Sequence, residues 1–375
     1  MPLSPRPKKL GPYDVLVKIA GGGMATIYLA RTPPASGEER LVAVKVIRHD
    51  LRHDQQYVEM FLDEARVLAR LSHPNIATIF ESGTDDEQHF IAMELLVGRN
   101  LAEVWDACRE RKLTLRLDHA AWIAARVADA LHYAHELTDD TGAPLGVIHR
   151  DVNPSNVFLT FDGDVKLFDF GLAKARGRQT KSTHGVVKGK LPYLAPEQFE
   201  SLALDRRSDI YMLGTTLWEM TTMRRLFKRT DDLETVAVVR AALVPDPRAR
   251  NPEYPDELWR IVRRTLARDR NDRYPTALEL ARDLDAFVVS HGRGDDLGLV
   301  TSAILDALFP GEREKQAMWL RRAKEPRAAG AAAGRRETMA PPVPIPGVDA
   351  SVPSVPPRKR PSSRPPPKKA STGGA

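Results

Sequence analysis

His149-Arg150-Asp151-Val152-Asn153-Pro154-Ser155-Asn156, followed by Asp169-Phe170-Gly171, is the stretch on which the reading of this chain turns. The first run is a turn rich in Asn and Pro, and Val165–Phe168 after it reads as a short buried strand. Neither feature requires two carboxylates at this spacing. Further out stand Val42-Ala43-Val44-Lys45 and Glu64 on the upstream side, and Ala195-Pro196-Glu197 downstream. Any one of these motifs arises by chance; their order within residues 42–197 carries the argument.

The 375 residues suffice for a two-lobed domain with appendages, and 42% hydrophobic against 28% charged residues reads as a globular chain with a sizeable core. The single cysteine, Cys108, has no partner for an intramolecular disulfide. With no apolar run of about 18 residues and no apolar segment behind the basic N-terminus, a cytoplasmic location is expected. The net charge of +6 is uneven: residues 326–375 carry nine Lys/Arg against Glu337 and Asp349, a net +7 that leaves the remainder at −1.

Tyr13–Ile19, Thr26–Ala30 and Leu41–Ile47 read as strands, separated by glycines 21–23 and the Pro33-Pro34…Ser36-Gly37 turn. Tyr57–Leu71 has helical spacing, and two more strands are expected around Ile76–Phe80 and Phe90–Leu95. After Gly98 the pattern is mostly helical, over Leu117–Leu137, Ser208–Met220 and Ala277–Val288. Strands followed by helices predict an α+β fold of two lobes with a cleft between them. The expected organisation is a flexible N-terminus (1–11), a main domain (12–290, lobes 12–97 and 98–290), a helical extension (291–324) and a disordered basic tail (325–375). Leu297–Phe309 supplies the extension's amphipathic helix, with Gln316–Lys324 continuing it, and twelve of the 29 prolines fall in residues 326–375.

The motifs fit phosphoryl transfer from a nucleotide. Lys45 ends a strand where its ammonium can reach phosphates, and Glu64 on the following helix can hold it. Asp151 is placed to align or deprotonate an attacking hydroxyl. Asn156 and Asp169 are hard oxygen donors suited to Mg²⁺ (Mn²⁺ as an alternative), with ATP as the expected co-substrate.

On these residues the chain resembles the bacterial, eukaryotic-like (Hanks-type) serine/threonine protein kinases over residues 12 to about 290. The resemblance implies a bilobal fold with a β-rich N-lobe and an α-helical C-lobe. It implies that Asp209 anchors the catalytic loop, that Arg273 pairs with Glu197, and that Arg150 marks control by phosphorylation. It places Met93 as gatekeeper, Glu94 to Val97 (with Leu96) as the hinge that bonds adenine, and Ala43 and Phe158 on either side of the base. Ala20, Gly21, Gly22, Gly23, Met24, Ala25 and Ile27 form the phosphate loop and its flank. Leu68, Ile79, His149 and Phe170 match the apolar spine joining the lobes.

Three departures from the family pattern stand out. Alanines occupy positions 20 and 25, where the loop usually has glycine. Asn153 stands where Ser/Thr members carry a lysine that touches the γ-phosphate. Gly189-Lys190 stands in place of Gly-Thr. Lys190 either reaches back to Asp151 and supplies the missing cation, or points to solvent. Thr183, then Ser182 and Thr180, are the candidate activation-loop phosphorylation sites.

The expected function is an ATP-dependent Ser/Thr protein kinase in bacterial signalling, autophosphorylating its activation loop. Its expected partners are Ser/Thr-bearing protein substrates, phosphothreonine-reading domains and a second copy for trans-autophosphorylation. Nucleic acid is expected to bind only weakly, through the basic tail. The alternatives are a pseudokinase scaffold that binds nucleotide and partners without catalysis, and a small-molecule phosphotransferase. Ala195-Pro196-Glu197, Arg273 and the helices after Asp209 argue against the last.

Overall fold

The computed structural model describes residues 9–21, 25–33, 40–170, 190–200 and 203–324, apart from the side chains of residues 56, 60, 64 and 324. Alternating apolar residues build the first lobe. Strands β1 (Lys9–Leu10), β2 (Tyr13–Gly21), β3 (Ala25–Arg31), β4 (Leu41–Ile47), β5 (Ile79–Asp85) and β6 (Gln88–Met93) form one antiparallel sheet in the order β1-β2-β3-β4-β6-β5. The β5–β6 hairpin closes through Asp86 and Glu87, both at positive φ (43° and 61°), the primed turn whose twist suits adjoining strands. Val42, Val44 and Val46 face one apolar cluster, while Ala43 and Lys45 lie on the opposite face of β4. Helix α1 (Gln55–Leu68) packs Phe61 and Ala65 beneath the sheet against Ile47 and Ile91.

Two local expectations need correction. Residues 9–10 belong to the sheet and not to a flexible terminus: Leu10 is buried, and Gly11 turns the chain at φ +54° while its N–H bonds the Asp85 carboxylate at 2.8 Å. The strand expected at Ile76–Phe80 starts at Ile79, because the preceding segment is sewn to the second lobe. Asn75 Nδ2 donates to Val165 O (2.9 Å), Leu167 N–H to Asn75 O (2.8 Å) and Ala77 N–H to Leu167 O (3.0 Å).

The second lobe opens with β7 (Gly98–Asn100), which pairs with β8 (Val157–Thr160) and, through it, with β9 (Val165–Leu167). Helix α2 (Leu101–Glu110) starts at a capping box, Asn100 accepting from Glu103 N–H and the Glu103 carboxylate accepting from Asn100 N–H. Alanine-rich α3 (Leu117–His135) runs through the core. Around it lie α4 (Arg207–Thr222), α5 (Asp232–Ala241), α6 (Asp256–Thr265) and α7 (Ala277–His291). Beyond these, α8 (Leu297–Leu308) and α9 (Glu312–Lys324) continue the chain. Gly163 turns at φ +97° directly beneath α8, where a methyl group would stand 2.3 Å from the Gly298 carbonyl. Buried His119 bonds Thr301 Oγ1 at 2.8 Å, and burial pushes its imidazole down to about 4, so it docks α8 as a neutral ring. Among the described residues no helix is long and apolar enough to cross a membrane.

Glu197 and Arg273 meet as a buried bidentate pair, at 2.7 and 2.8 Å, with Ser208 Oγ donating to the same carboxylate at 2.8 Å. Arg273 also donates to the carbonyls of Ala267, Arg268 and Arg207 and lies over the Tyr211 ring. Burial raises the Glu197 carboxyl, but the Arg273 bonds and charge outweigh it and hold the group below its ordinary 4.5. A depressed carboxylate stabilises the fold above its unfolded pKa, so this contribution is present at neutral pH and lost as the medium acidifies below about 4.5. Arg273→Ala leaves the carboxylate buried and unpaired, and a loss of about 3–5 kcal/mol is expected in chemical denaturation at pH 7. The deficit should shrink at pH 4; an undiminished deficit there would contradict the assignment.

Candidate active site

The catalytic loop is held from behind. Asp209, in the first turn of α4 and fully buried, accepts the backbone N–H groups of His149 and Arg150 and the Nε2–H of His135, each at 2.8 Å. Arg150 sits at φ +64°, a conformation that branched-backbone sterics disfavour and that these bonds over-determine. His149 stacks on Phe170 at 4.4 Å between ring centroids, accepts Asp151 N–H at Nδ1 and donates from Nε2 to Phe168 O. Burial lowers its pKa, which keeps the ring neutral for both roles. Leu68 and Phe170 belong to one core cluster with Ile79 packed against it, and of the four spine residues His149 and Phe170 are in direct ring contact.

Asp151 is 4% exposed, and its Oδ2 accepts from two donors. Lys190 Nζ lies 2.6 Å away and Asn156 Nδ2 3.0 Å; Asn156 Nδ2 also bonds Asp151 O at 2.8 Å. Asn153 is turned inward: its Oδ1 caps Ser155 N–H and its Nδ2 donates to Asp151 O. The side chain at 153 is therefore occupied in shaping the loop, and the cation at the aspartate arrives from residue 190.

Lys45 Nζ crosses the cleft to Asp169 Oδ1 at 2.8 Å. Asp169 adopts φ +59°, the second strained residue beside the cleft. Asn156 Oδ1 is buried and has no hydrogen-bond partner among the described residues. Both amide hydrogens' bonds to Asp151 leave that oxygen as the outward-acting atom of the side chain, a hard donor with an unmet need. Together with the partly exposed Asp169 carboxylate, it fits a Mg²⁺ ion.

The residues expected to cover the base come from both lobes. Ala20, Ile27 and Ala43 share one apolar cluster with Met93 packed on it, and Ala25 opens β3 beside them. Phe158, on β8 of the other lobe, is buried and edge-on to Phe168. In the hinge, Glu94 N–H bonds Thr78 O and its carboxylate pairs with Lys166 at 2.9 Å. The N–H and C=O of Leu96 make no backbone–backbone hydrogen bond among the described residues. Gly21 ends β2; Gly22, Gly23, Met24, the Glu64 side chain, Thr180, Ser182 and Thr183 lie outside the described residues.

Single-sequence reasoning did not find the clamp under Tyr193. The Tyr193 hydroxyl, buried Glu219 and Arg225 bond one another at 2.6–2.8 Å, with Arg225 3.8 Å above the Trp105 ring. No motif marks Glu219 or Arg225; only the fold brings them to the segment ahead of Ala195.

Residues 13–283 match the protein kinase domain family. The chain belongs to the protein kinases, in their bacterial Hanks-type branch. It is 40% identical over 311 residues to the tyrosine-protein kinase MasK of Myxococcus xanthus, covering 83% of this chain and 48% of that protein. It is 32% identical to the serine/threonine-protein kinase PrkC of Bacillus subtilis, covering 73% of this chain and 40% of PrkC. The chain thus spans half or less of these relatives' length. The crystal structure of the Mycobacterium tuberculosis PknI kinase domain superposes with a TM-score of 0.55 at 27% identity, covering 74% of this chain and 97% of that one.

Replacing Asp209 by Ala would strand three buried N–H donors and release the Arg150 backbone. A stability loss of about 3 kcal/mol or more is expected in calorimetric unfolding, with loss of nucleotide-dependent activity. A near-unchanged melting temperature would refute the anchoring role.

Proposed function

We propose that the chain is an active ATP-dependent protein kinase that phosphorylates serine or threonine in proteins, itself included, within bacterial signalling. The observation that supports this most is the meeting of Lys45 with Asp169 and of Asn156 and Lys190 with Asp151 in one cleft. A scaffold without chemistry has no use for that set.

Asn156 and Asp169 would hold Mg²⁺, which when bound would supply charge neutralisation on the phosphates. Lys45 orients the nucleotide, with Glu64 as its expected support. Asp151, fixed by Asn156, aligns the acceptor hydroxyl and takes its proton as the bond to phosphorus forms. Lys190 takes the part of the lysine absent at 153: its ammonium neutralises Asp151 in the apo cleft and stands ready for the γ-phosphate. Thr183, Ser182 and Thr180 are the proposed autophosphorylation sites, ordered through Arg150. A cytoplasmic setting, a second copy acting in trans and a phosphothreonine-reading partner complete the proposal.

A specific observation favours a second reading. The relative at 40% identity is named a tyrosine kinase, and position 153 lacks the lysine usual in Ser/Thr members. Tyrosine as acceptor is therefore the competing specificity.

Incubation with γ-labelled ATP and Mg²⁺, followed by phosphoamino-acid analysis, separates the readings. Phosphoserine or phosphothreonine in the wild type and no label in Asp169→Ala are expected; phosphotyrosine alone would replace the acceptor assignment, and label persisting in Asp169→Ala would overturn the mechanism. For Lys190→Ala, kcat should fall about 10–100-fold with nucleotide affinity held within about twofold. Adding Asn153→Lys to that variant should restore part of the rate. An unchanged kcat would show that Lys190 has no catalytic part.

A further inference from the structure

The last described helix returns to the nucleotide cleft. Its start is fastened to the C-lobe: Glu312 pairs with Arg99 at 3.4 Å, and Arg313 bonds Phe161 O at 2.5 Å and lies over the Phe161 ring. Its end is fastened to the N-lobe, where the Arg31 guanidinium donates to Ala323 O. Between these anchors Gln316, Trp319, Leu320 and Ala323 repeat at helical spacing and turn one face of α9 inward.

That face meets the ceiling of the cleft. Trp319, 8% exposed, clusters with Ile19, Ala20, Ile27, Leu29 and Ala43, and Leu320 and hinge residue Leu95 pack on the same cluster. Strand alternation puts Ala43 on the same face of β4 as Lys45, whose ammonium reaches Asp169. The indole thus packs on the nucleotide-facing side of the sheet, among the residues that would cover the base.

The Trp319 indole N–H is buried and has no hydrogen-bond partner among the described residues. A buried donor of this kind is normally satisfied. A bound nucleotide supplies acceptors that a sealed apolar wall does not.

From this we infer that Trp319 is a nucleotide-site residue, contributed by a helix beyond the family-matched residues 13–283. Its ring walls the base end of the cleft, and its N–H bonds an acceptor on the base or ribose. The inference deepens the kinase reading above and rests on it.

The test is titration of the full chain with ADP and Mg²⁺, by calorimetry and by tryptophan emission, beside Trp319→Phe and Trp319→Ala. Trp319→Phe, which removes the N–H together with the pyrrole part of the ring, should weaken ADP about 3–10-fold, and Trp319→Ala about 10-fold or more. An ADP-dependent change in emission should be present in the wild type and absent in Trp319→Phe, where the fold keeps an aromatic ring. Wild-type affinity in both variants, with the emission change retained in Trp319→Phe, would make α9 a structural brace and overturn the inference alone. Tighter binding by Trp319→Ala would overturn it in favour of a plug. A wild-type chain that binds no ADP would sink the nucleotide reading together with this one.

Discussion

Three N–H groups from two segments converge on the carboxylate of Asp209, and the site depends on that convergence. Two of them are consecutive backbone amides, His149 and Arg150, which cannot point at one acceptor in a relaxed extended chain. The carboxylate holds Arg150 in the left-handed region, and the turn it enforces delivers Asp151 to the cleft. Because Asp209 lies in the first turn of α4, it also sits where the helix dipole favours negative charge. Helix α4 in turn is locked by the Glu197–Arg273 pair through Ser208 and the Arg207 carbonyl. The position of Asp151 is thus set by groups that lie behind its loop.

Strain is localised where this machinery needs it. Seven non-glycine residues have positive φ among the described residues, and five of them lie in a hairpin turn or just past helix ends, where such backbone is ordinary. The other two, Arg150 and Asp169, flank the cleft. Each non-glycine residue in this region costs about 1–3 kcal/mol, an amount that surrounding hydrogen bonds must exceed. Asp169 is drawn by Lys45 from the other lobe, so the strained backbone and the lobe-to-lobe ion pair are coupled.

Much of this was legible in the sequence because its signals are local. Alternation in Leu41–Ile47 placed β4 to the residue, and Leu117 opened α3 where the apolar period began. Helices α2, α5 and α6 carry weaker signals, since each is only ten residues long and α5 packs on the turns Leu191–Tyr193 and Pro196–Phe199, which no periodicity marks. The Asn100/Glu103 capping box was a signal available for α2. Residues 9–10 were read as flexible because a two-residue strand has no periodicity, and only pairing with Asp14 and Tyr13 reveals it. The substitution of lysine for threonine at 190 identified a candidate cation, but which way it points is a property of the folded loop. Glu219, Arg225 and Trp319 carry no motif at all; their partners are remote in sequence.

The placement of α9 bears on how the cleft can move. A kinase cleft opens by rotation of one lobe about the hinge, and a helix fastened only to the C-lobe would be left behind by that motion. Here both ends are tied, through Glu312 and Arg313 below and through Ala323 and the Trp319 face above. Opening must therefore either bend the α8–α9 connection at Gly311 and break the Glu312 and Arg313 bonds to the C-lobe that lie beyond it, or peel Trp319 from Ile19 and Ala43. Peeling exposes a large apolar ring, at about 25 cal/mol per Å² of surface returned to water. Rotation at Gly311 spares the ring and keeps the indole on the N-lobe ceiling, but gives up the Arg99–Glu312 pair and the Arg313 bonds. On that path the aromatic wall travels with the strands that cover the base, so opening and closing change the distance to the C-lobe floor and leave the ceiling intact.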